Sequence, residues 1–207
     1  SKKKSDNFAN KVFSLLTFSL FGLVILVELF MPLFVSLIAP GFKSDPEKFI
    51  LAIDLTRITF PFILFISLAS FFSAILNSYN KFAAASAAPI ILNVVLIIIL
   101  LCAKYLDDYL VIYMSYGVSV AGFIQMIFLI LTLKKIYKPK FQINLNIDIK
   151  TKSFFKKLLP SIFSSGVTQI NILIGTIIAS FQAGAVSYLY YADRIYQINL
   201  AIAGIAI

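Results

Sequence analysis

The segment "YLYYADRIYQ", from Tyr188 to Gln197, sets Asp193 and Arg194 side by side in a stretch that otherwise reads as lipid-soluble. An ionised side chain at the centre of a bilayer costs about 2.5–3.5 kcal/mol on insertion scales, so it marks either a functional path or a neutralising partner. Arg194 follows Ala185 by nine residues, which puts it roughly 14 Å along a helix in a hydrocarbon core about 30 Å thick. That is too deep to snorkel, and the side chain must face protein or water. Ser187, Tyr190, Tyr191, Gln197 and Ile198 fall on the same helical face and give it a mixed aromatic and polar character. Two chemistries fit a guanidinium there: a structural ion pair with Asp193 or Glu28, or the binding of an anion through charge-assisted hydrogen bonds.

Two other places put charge in apolar surroundings. Glu28 lies well inside the first apolar segment, where it is either protonated or partnered. Asp54 and Arg57, at i and i+3, are spaced to pair on one helix face or to sit at the membrane interface. A later segment carries Ser161, Ser165, Thr168, Gln169 and Thr176 at near-helical spacing, with Asn171 offset; such residues more often hold helices together than bind substrate.

The composition explains why these few polar groups matter. Of 207 residues, 60% are hydrophobic and 13% charged, with mean hydropathy +0.96, whereas about a quarter of residues are charged in an ordinary soluble domain. The chain reads as an all-α polytopic membrane protein. It has no His and a single Cys, so histidine bases, imidazole metal sites and an internal disulfide are all excluded. Cys102, in an apolar run, reads as a small buried hydrophobe. No phosphate-binding glycine loop, nucleophile elbow, metal-ligand cluster or catalytic carboxylate pair appears, so neither catalytic nor metal residues are assigned. The chain opens without Met and stops in an apolar run, as a piece of a longer protein would.

Six segments are long and apolar enough to cross a bilayer: 12–38, 53–76, 84–103, 110–133, 158–180 and 185–207. Together they read as one membrane domain over 1–207, with a basic loop at 134–157. Pro32 and Pro61 predict kinks or breaks, while Pro89 and Pro160 fall nearer predicted helix starts, where proline costs less. The lysines cluster before the first span, at Lys81, and in the loop from Lys134 to Lys157; the alternate loops carry few cations and several carboxylates. The lysine-rich side is therefore predicted to be cytoplasmic, with both ends of the chain on it. The net charge of +9 is mostly this topological signal, with some attraction to anionic lipid. Within the basic loop, "FQINLNIDIK" (141–150) alternates with the period of a strand and reads as an extended segment resting one face on the protein or headgroups. "AAASAA" (Ala83 to Ala88) suits close helix packing, and Asn77, Asn80 and Asn93 around it suit turn capping and interhelical hydrogen bonds.

"RITFPFILFISLASFFSAILNSYNKFAAASAAPIILN", "LLPSIFSSGVTQINILIGTIIAS" and "GAVSYLYYADRIYQINLAIAGIAI" together resemble the lipid II flippase family (MurJ/MviN) of the multidrug/oligosaccharidyl-lipid/polysaccharide exporter superfamily. The resemblance covers essentially the whole chain. It implies helices three to eight of about fourteen, in a fold whose two lobes surround a central cavity; the first two helices and most of the second lobe fall outside. It implies transport of lipid II, a polyprenyl-pyrophosphate-linked peptidoglycan precursor, from the inner to the outer leaflet of the bacterial cytoplasmic membrane by alternating access, without covalent chemistry. Arg194 stands where the family has a functionally important cavity arginine. Around it, Arg57, Gln197, Tyr190 and Gln169 are assigned to substrate, with Asp193, Glu28 and Asp54 as charge partners. No cofactor is implied, and the energy source, a coupling cation or the membrane potential, stays open because Gly175 replaces an acidic residue that some members use in a cation site. Asn199 stands where the family often has proline, which removes the expected reason for a kink. A polysaccharide-repeat flippase or a multidrug antiporter of the same superfamily are the alternatives. From another class, a polyprenyl-phosphate glycosyltransferase would rest on Asp107 and Asp108, which read better as solvated turn residues. Oligomeric state is not legible.

Overall fold

The computed structural model describes residues 2–102, 109–142 and 149–206, and among them every regular element is helical. The elements are α1 (Lys2–Leu29), α2 (Met31–Ile38), a 3-10 turn (Pro40–Ser44), α3 (Pro46–Thr59), α4 (Phe62–Ser78), α5 (Phe82–Leu101), α6 (Leu110–Leu133), α7 (Ile149–Ala179) and α8 (Ala185–Ala206). Five stretches among the described residues are long and apolar enough to span a membrane: Ser5–Leu29, Pro46–Ser78, Phe82–Leu101, Leu110–Leu133 and Thr151–Ala179. The sixth expected span corresponds to α8, which is not among these five. Asp107, Asp108 and the centre of the alternating 141–150 stretch lie outside the described residues; Phe141 and Gln142 are irregular, and residues 149–150 already belong to α7.

Helix boundaries follow local chemistry. The two interior prolines act as expected: the helix breaks at Phe30 ahead of Pro32, and again at Phe60 and Pro61. Beside the second break, the Ser119 hydroxyl of α6 donates to the Ile58 carbonyl. A neighbouring helix thus satisfies backbone where no water is at hand. α3 starts at Pro46, with the Asp45 carboxylate accepting from the Lys48 amide at 3.1 Å, an N-cap followed by proline at the first helical position. α4 ends with Asn80 at φ 57°; the Lys81 amide bonds the Leu76 carbonyl at 2.9 Å and the Asn80 amide bonds Asn77 at 3.0 Å. Asn tolerates this left-handed position well, so Asn80 caps the turn through its backbone.

Two expectations need correction. α1 and α7 begin earlier than the apolar runs do, at Lys2 and Ile149, because lysine favours helix as well as most apolar residues do and lets a spanning helix continue into water. Pro160 consequently lies inside α7 rather than near its start. Cys102 is exposed rather than buried, at the end of α5.

The described chain divides into two compact units. The first comprises residues 1–30 and 54–154. In it, α4 packs against α1, α5 and α6, and α5 against α6. Phe72, Leu76, Leu129 and Leu133 are fully buried at its centre, joined by Phe13 and Tyr137. The N-terminal part of α1 and the C-terminal ends of α4 and α6 therefore meet at one end of this unit. There Asn10 Oδ1 accepts both the Tyr137 hydroxyl and the Lys140 amide, the Gln142 amide donates to Ser14 Oγ at 2.8 Å, and the Phe141 ring lies 4.8 Å from that of Phe13. Burial, with the Asp6 carboxylate adding to it, pushes the Tyr137 phenol well above its usual range. Tyr137 thus stays neutral and keeps donating to Asn10. The start of the basic loop is pinned along α1.

The second unit comprises residues 31–53 and 155–207. Its α7–α8 turn needs Gly184, at φ +74°, a region that favours glycine. Gly175 of α7 faces Leu189 of α8, whose Cδ2 would lie 3.4 Å from a Cβ built there. The 3-10 turn docks on the end of α7: the Gly41 amide donates to Ser180 Oγ at 3.0 Å, and both residues are buried. α8 runs through Asn199 without a break, as the absence of proline there leads one to expect.

Candidate functional site

α8 positions the charged group that opened the sequence question. Helical spacing puts Tyr190 four residues before Arg194 and Gln197 three residues after it, so both side chains reach the guanidinium from one face. Arg194 donates from Nη2 to the Tyr190 hydroxyl at 2.9 Å and from Nη1 to Gln197 Oε1 at 3.1 Å. Its guanidinium carbon also lies 4.8 Å from the centroid of the Tyr190 ring, within cation–π range. Both hydrogen-bond partners are neutral. Asp193 instead accepts from Gln197 Nε2 at 2.6 Å, because adjacent residues on a helix point about 100° apart and Gln197, at i+4, is the nearer donor.

The result is a chain of contacts, Asp193 to Gln197 to Arg194 to Tyr190, in which the carboxylate orients the arginine through an amide rather than neutralising it. An Arg194–Asp193 ion pair is thus replaced by a bridged arrangement. Gln197, read from sequence as a substrate contact, also bridges the two charges; its i+3 and i+4 spacing carried that signal. Arg194, Tyr190 and Gln197 are exposed and Asp193 is half-buried. Two of the guanidinium's donors are committed, and about three of its five N–H bonds are left to point at a ligand. A fixed, planar cation that keeps most of its donors suits an anion with several oxygens, such as a phosphate.

The remaining assigned residues are distributed differently. Gln169 on α7 is exposed, in the same unit as Arg194. Asp54, Arg57 and Glu28 belong to the first unit. Asp54 and Arg57 are both exposed, and no ion pair between them is seen among the described residues. Glu28 is half-buried, with Oε1 buried and without a hydrogen-bond partner. The hydroxyl of Thr176 bonds the Ile172 carbonyl of its own helix at 2.9 Å, so it is not available to a neighbouring helix as a donor. Among the described residues, no group of His, Cys, Asp and Glu side chains is arranged to hold a metal.

Residues 1–207 match the family model described as "Lipid II flippase MurJ". A "Probable lipid II flippase MurJ" of Rickettsia prowazekii (strain Madrid E) is 41% identical over 208 residues, which cover 99% of this chain and 40% of that protein. A protein of the same description from Rhizobium tropici is 40% identical over 214 residues, 98% of this chain and 39% of its own. A solved structure described as "Lipid II flippase MurJ, inward closed conformation" superposes with a TM-score of 0.79 at 30% identity, covering 96% of this chain and 41% of that one. The chain spans about two fifths of the length of the relatives it matches.

Proposed function

The chain belongs to the lipid II flippase MurJ family, and from that premise we propose that it forms part of a multi-pass transporter that carries lipid II from the inner to the outer leaflet of the bacterial cytoplasmic membrane. The observation that supports this reading is Arg194: a guanidinium in an apolar helix, held by two neutral partners and left open to a ligand. The pyrophosphate of lipid II is the part of that molecule least able to enter hydrocarbon, and a fixed cation lowers its cost of crossing. The polyprenyl tail needs no such help and stays in lipid. Flipping breaks and forms no covalent bond, so the protein acts as a transporter and not as an enzyme, working by alternating access around the site. Arg57, Tyr190, Gln197 and Gln169 are proposed to face the same substrate, with Asp193, Glu28 and Asp54 setting the local charge.

Depletion of the full-length protein tests the function directly. Lipid II should accumulate in the inner leaflet and disappear from a leaflet-specific assay of the outer one; unchanged outer-leaflet lipid II would reject the proposal. Sidedness is tested separately. In intact cells, cysteines placed at Lys138 and Lys150 should be shielded from an impermeant thiol reagent, and those at Asp45 and Asp107 labelled, since the lysine-rich loops are assigned to the cytoplasm. The reverse pattern would invert the topology without touching the transport proposal.

A further inference from the structure

Within the first unit, α1 and α4 border a cavity of about 600 Å³, inside the range of about 300–1,000 Å³ usual for ligand pockets. The two helices run antiparallel along it: the Phe13 and Phe72 rings meet at 5.6 Å, while Asp6 and Tyr79 share the cavity further along. Its lining is therefore graded. Val12 lies six residues beyond Asp6 on α1, and Phe71 eight residues before Tyr79 on α4, so the apolar end is roughly 9–12 Å from the polar one. The polar end coincides with the limits of the apolar spans, which begin at Ser5 and end at Ser78. The cavity thus starts at headgroup level and reaches into the acyl layer, walled by the Phe8 and Phe154 rings, edge to face at 5.6 Å. Asp6 is the one charged group among its described lining residues; it is half-buried, with no hydrogen-bond or ion-pair partner among the described residues.

We propose that this cavity holds a phospholipid with a primary ammonium in its headgroup, such as phosphatidylethanolamine, the ammonium bonded to Asp6 and an acyl chain laid between Val12 and Phe71. The gradient selects a lipid, because a molecule with a polar head and a long apolar body matches both ends of the lining at once in the orientation the bilayer imposes. The charge selects the head. A primary ammonium brings N–H donors as well as charge to a carboxylate that lacks a partner. The lysines of this end, among them the exposed Lys81 two residues past Tyr79, suit the lipid phosphate. An anionic lipid would meet those lysines but be repelled at Asp6, whereas a zwitterion satisfies both. The pyrophosphate assigned to Arg194 would be repelled at Asp6 in the same way, so the lipid bound here is not the transported one.

The test uses the full-length protein in vesicles of phosphatidylethanolamine and phosphatidylglycerol, with a trace of one lipid or the other carrying a photoactivatable diazirine in its acyl chain. The phosphatidylethanolamine probe should label residues 5–12 or 71–79, and the phosphatidylglycerol probe should label them about tenfold less. Asp6→Asn should abolish that preference and Asp6→Glu should keep it. Glu47→Gln, which removes a carboxylate outside the cavity, should leave it unchanged. Equal labelling by the two probes, no adduct in either stretch, or a preference that survives Asp6→Asn would overturn the proposal. The comparison of probes on the unaltered protein decides even where Asp6→Asn fails to fold.

Discussion

Arg194→Ala in the full-length protein should reduce lipid II flipping to the level of vesicles lacking the protein, while expression and membrane insertion stay near normal. The geometry separates those two effects. Removing a guanidinium whose partners are Tyr190 and Gln197 strands no carboxylate, since Asp193 keeps its bond to Gln197. The penalty of about 3–5 kcal/mol for breaking a buried ion pair therefore does not apply. In the proposed role, what is lost is the grip on the substrate: hydrogen bonds to a charged group contribute about 1.5–3 kcal/mol each, so losing two is expected to slow transport by about a hundredfold or more. Arg194→Lys should recover only part of the activity, because an ammonium keeps the charge but not the planar fork. Tyr190→Phe should act more mildly, keeping the ring beneath the cation and losing only the acceptor. Flipping and thermal stability are measured together on each variant. If Arg194→Ala misfolds and a second change, Asp193→Asn or Glu28→Gln, restores flipping, Arg194 is structural and the phosphate role is wrong.

The second large effect is expected at Gly41. A Cβ built there meets the Ser180 carbonyl group and the Phe181 amide nitrogen, closer than real Cβ atoms come. The obstacle is backbone and cannot rotate away. Gly41→Ala should therefore move the 3-10 turn off the end of α7, break the Gly41–Ser180 hydrogen bond and destabilise the protein by about 1–3 kcal/mol or more, as overpacking does. Two other glycines calibrate the measurement. At Gly117 the obstacle is the Cδ1 end of Ile99, so Gly117→Ala should be milder and Ile99→Val should relieve it. At Gly22 nothing lies within 4 Å, and Gly22→Ala should leave the thermal midpoint unchanged. A Gly41→Ala protein as stable as Gly22→Ala would show that the docked turn does not hold.

Much of the architecture is carried by one-dimensional signals. Hydrocarbon dissolves no unpaired backbone, so apolar runs of about 20 residues have little choice but to be helices. The breaks at Pro32 and Pro61 follow from a missing amide, and the unbroken course of α8 through Asn199 follows from an amide retained. Helix starts in the aqueous margin were harder to read, because no solvent boundary marks where α1 and α7 must begin. The candidate site was legible as an unusual residue type at an unusual depth. Its internal bonding was partly legible as well, since Tyr190, Asp193, Arg194 and Gln197 lie within one helix and their i+3 and i+4 separations fix who can reach whom.

Sequence alone therefore determined the helical class, the breaks, the apolar faces and the identity of Arg194 as the group requiring explanation, all of which depend on neighbours within about two turns of the chain. Only the tertiary structure decided that Asn10 gathers Tyr137 and Lys140 into one contact, that Ser180 receives Gly41, and that Gln125 is buried without an acceptor. In each of these the interacting groups, or the walls that bury the group, come from different helices or loops. Lipid accepts any apolar face equally well and does not dictate how helices turn toward one another, so these pairings are set by the fit of side chains and the need to satisfy each polar group, which exist only once the helices have packed.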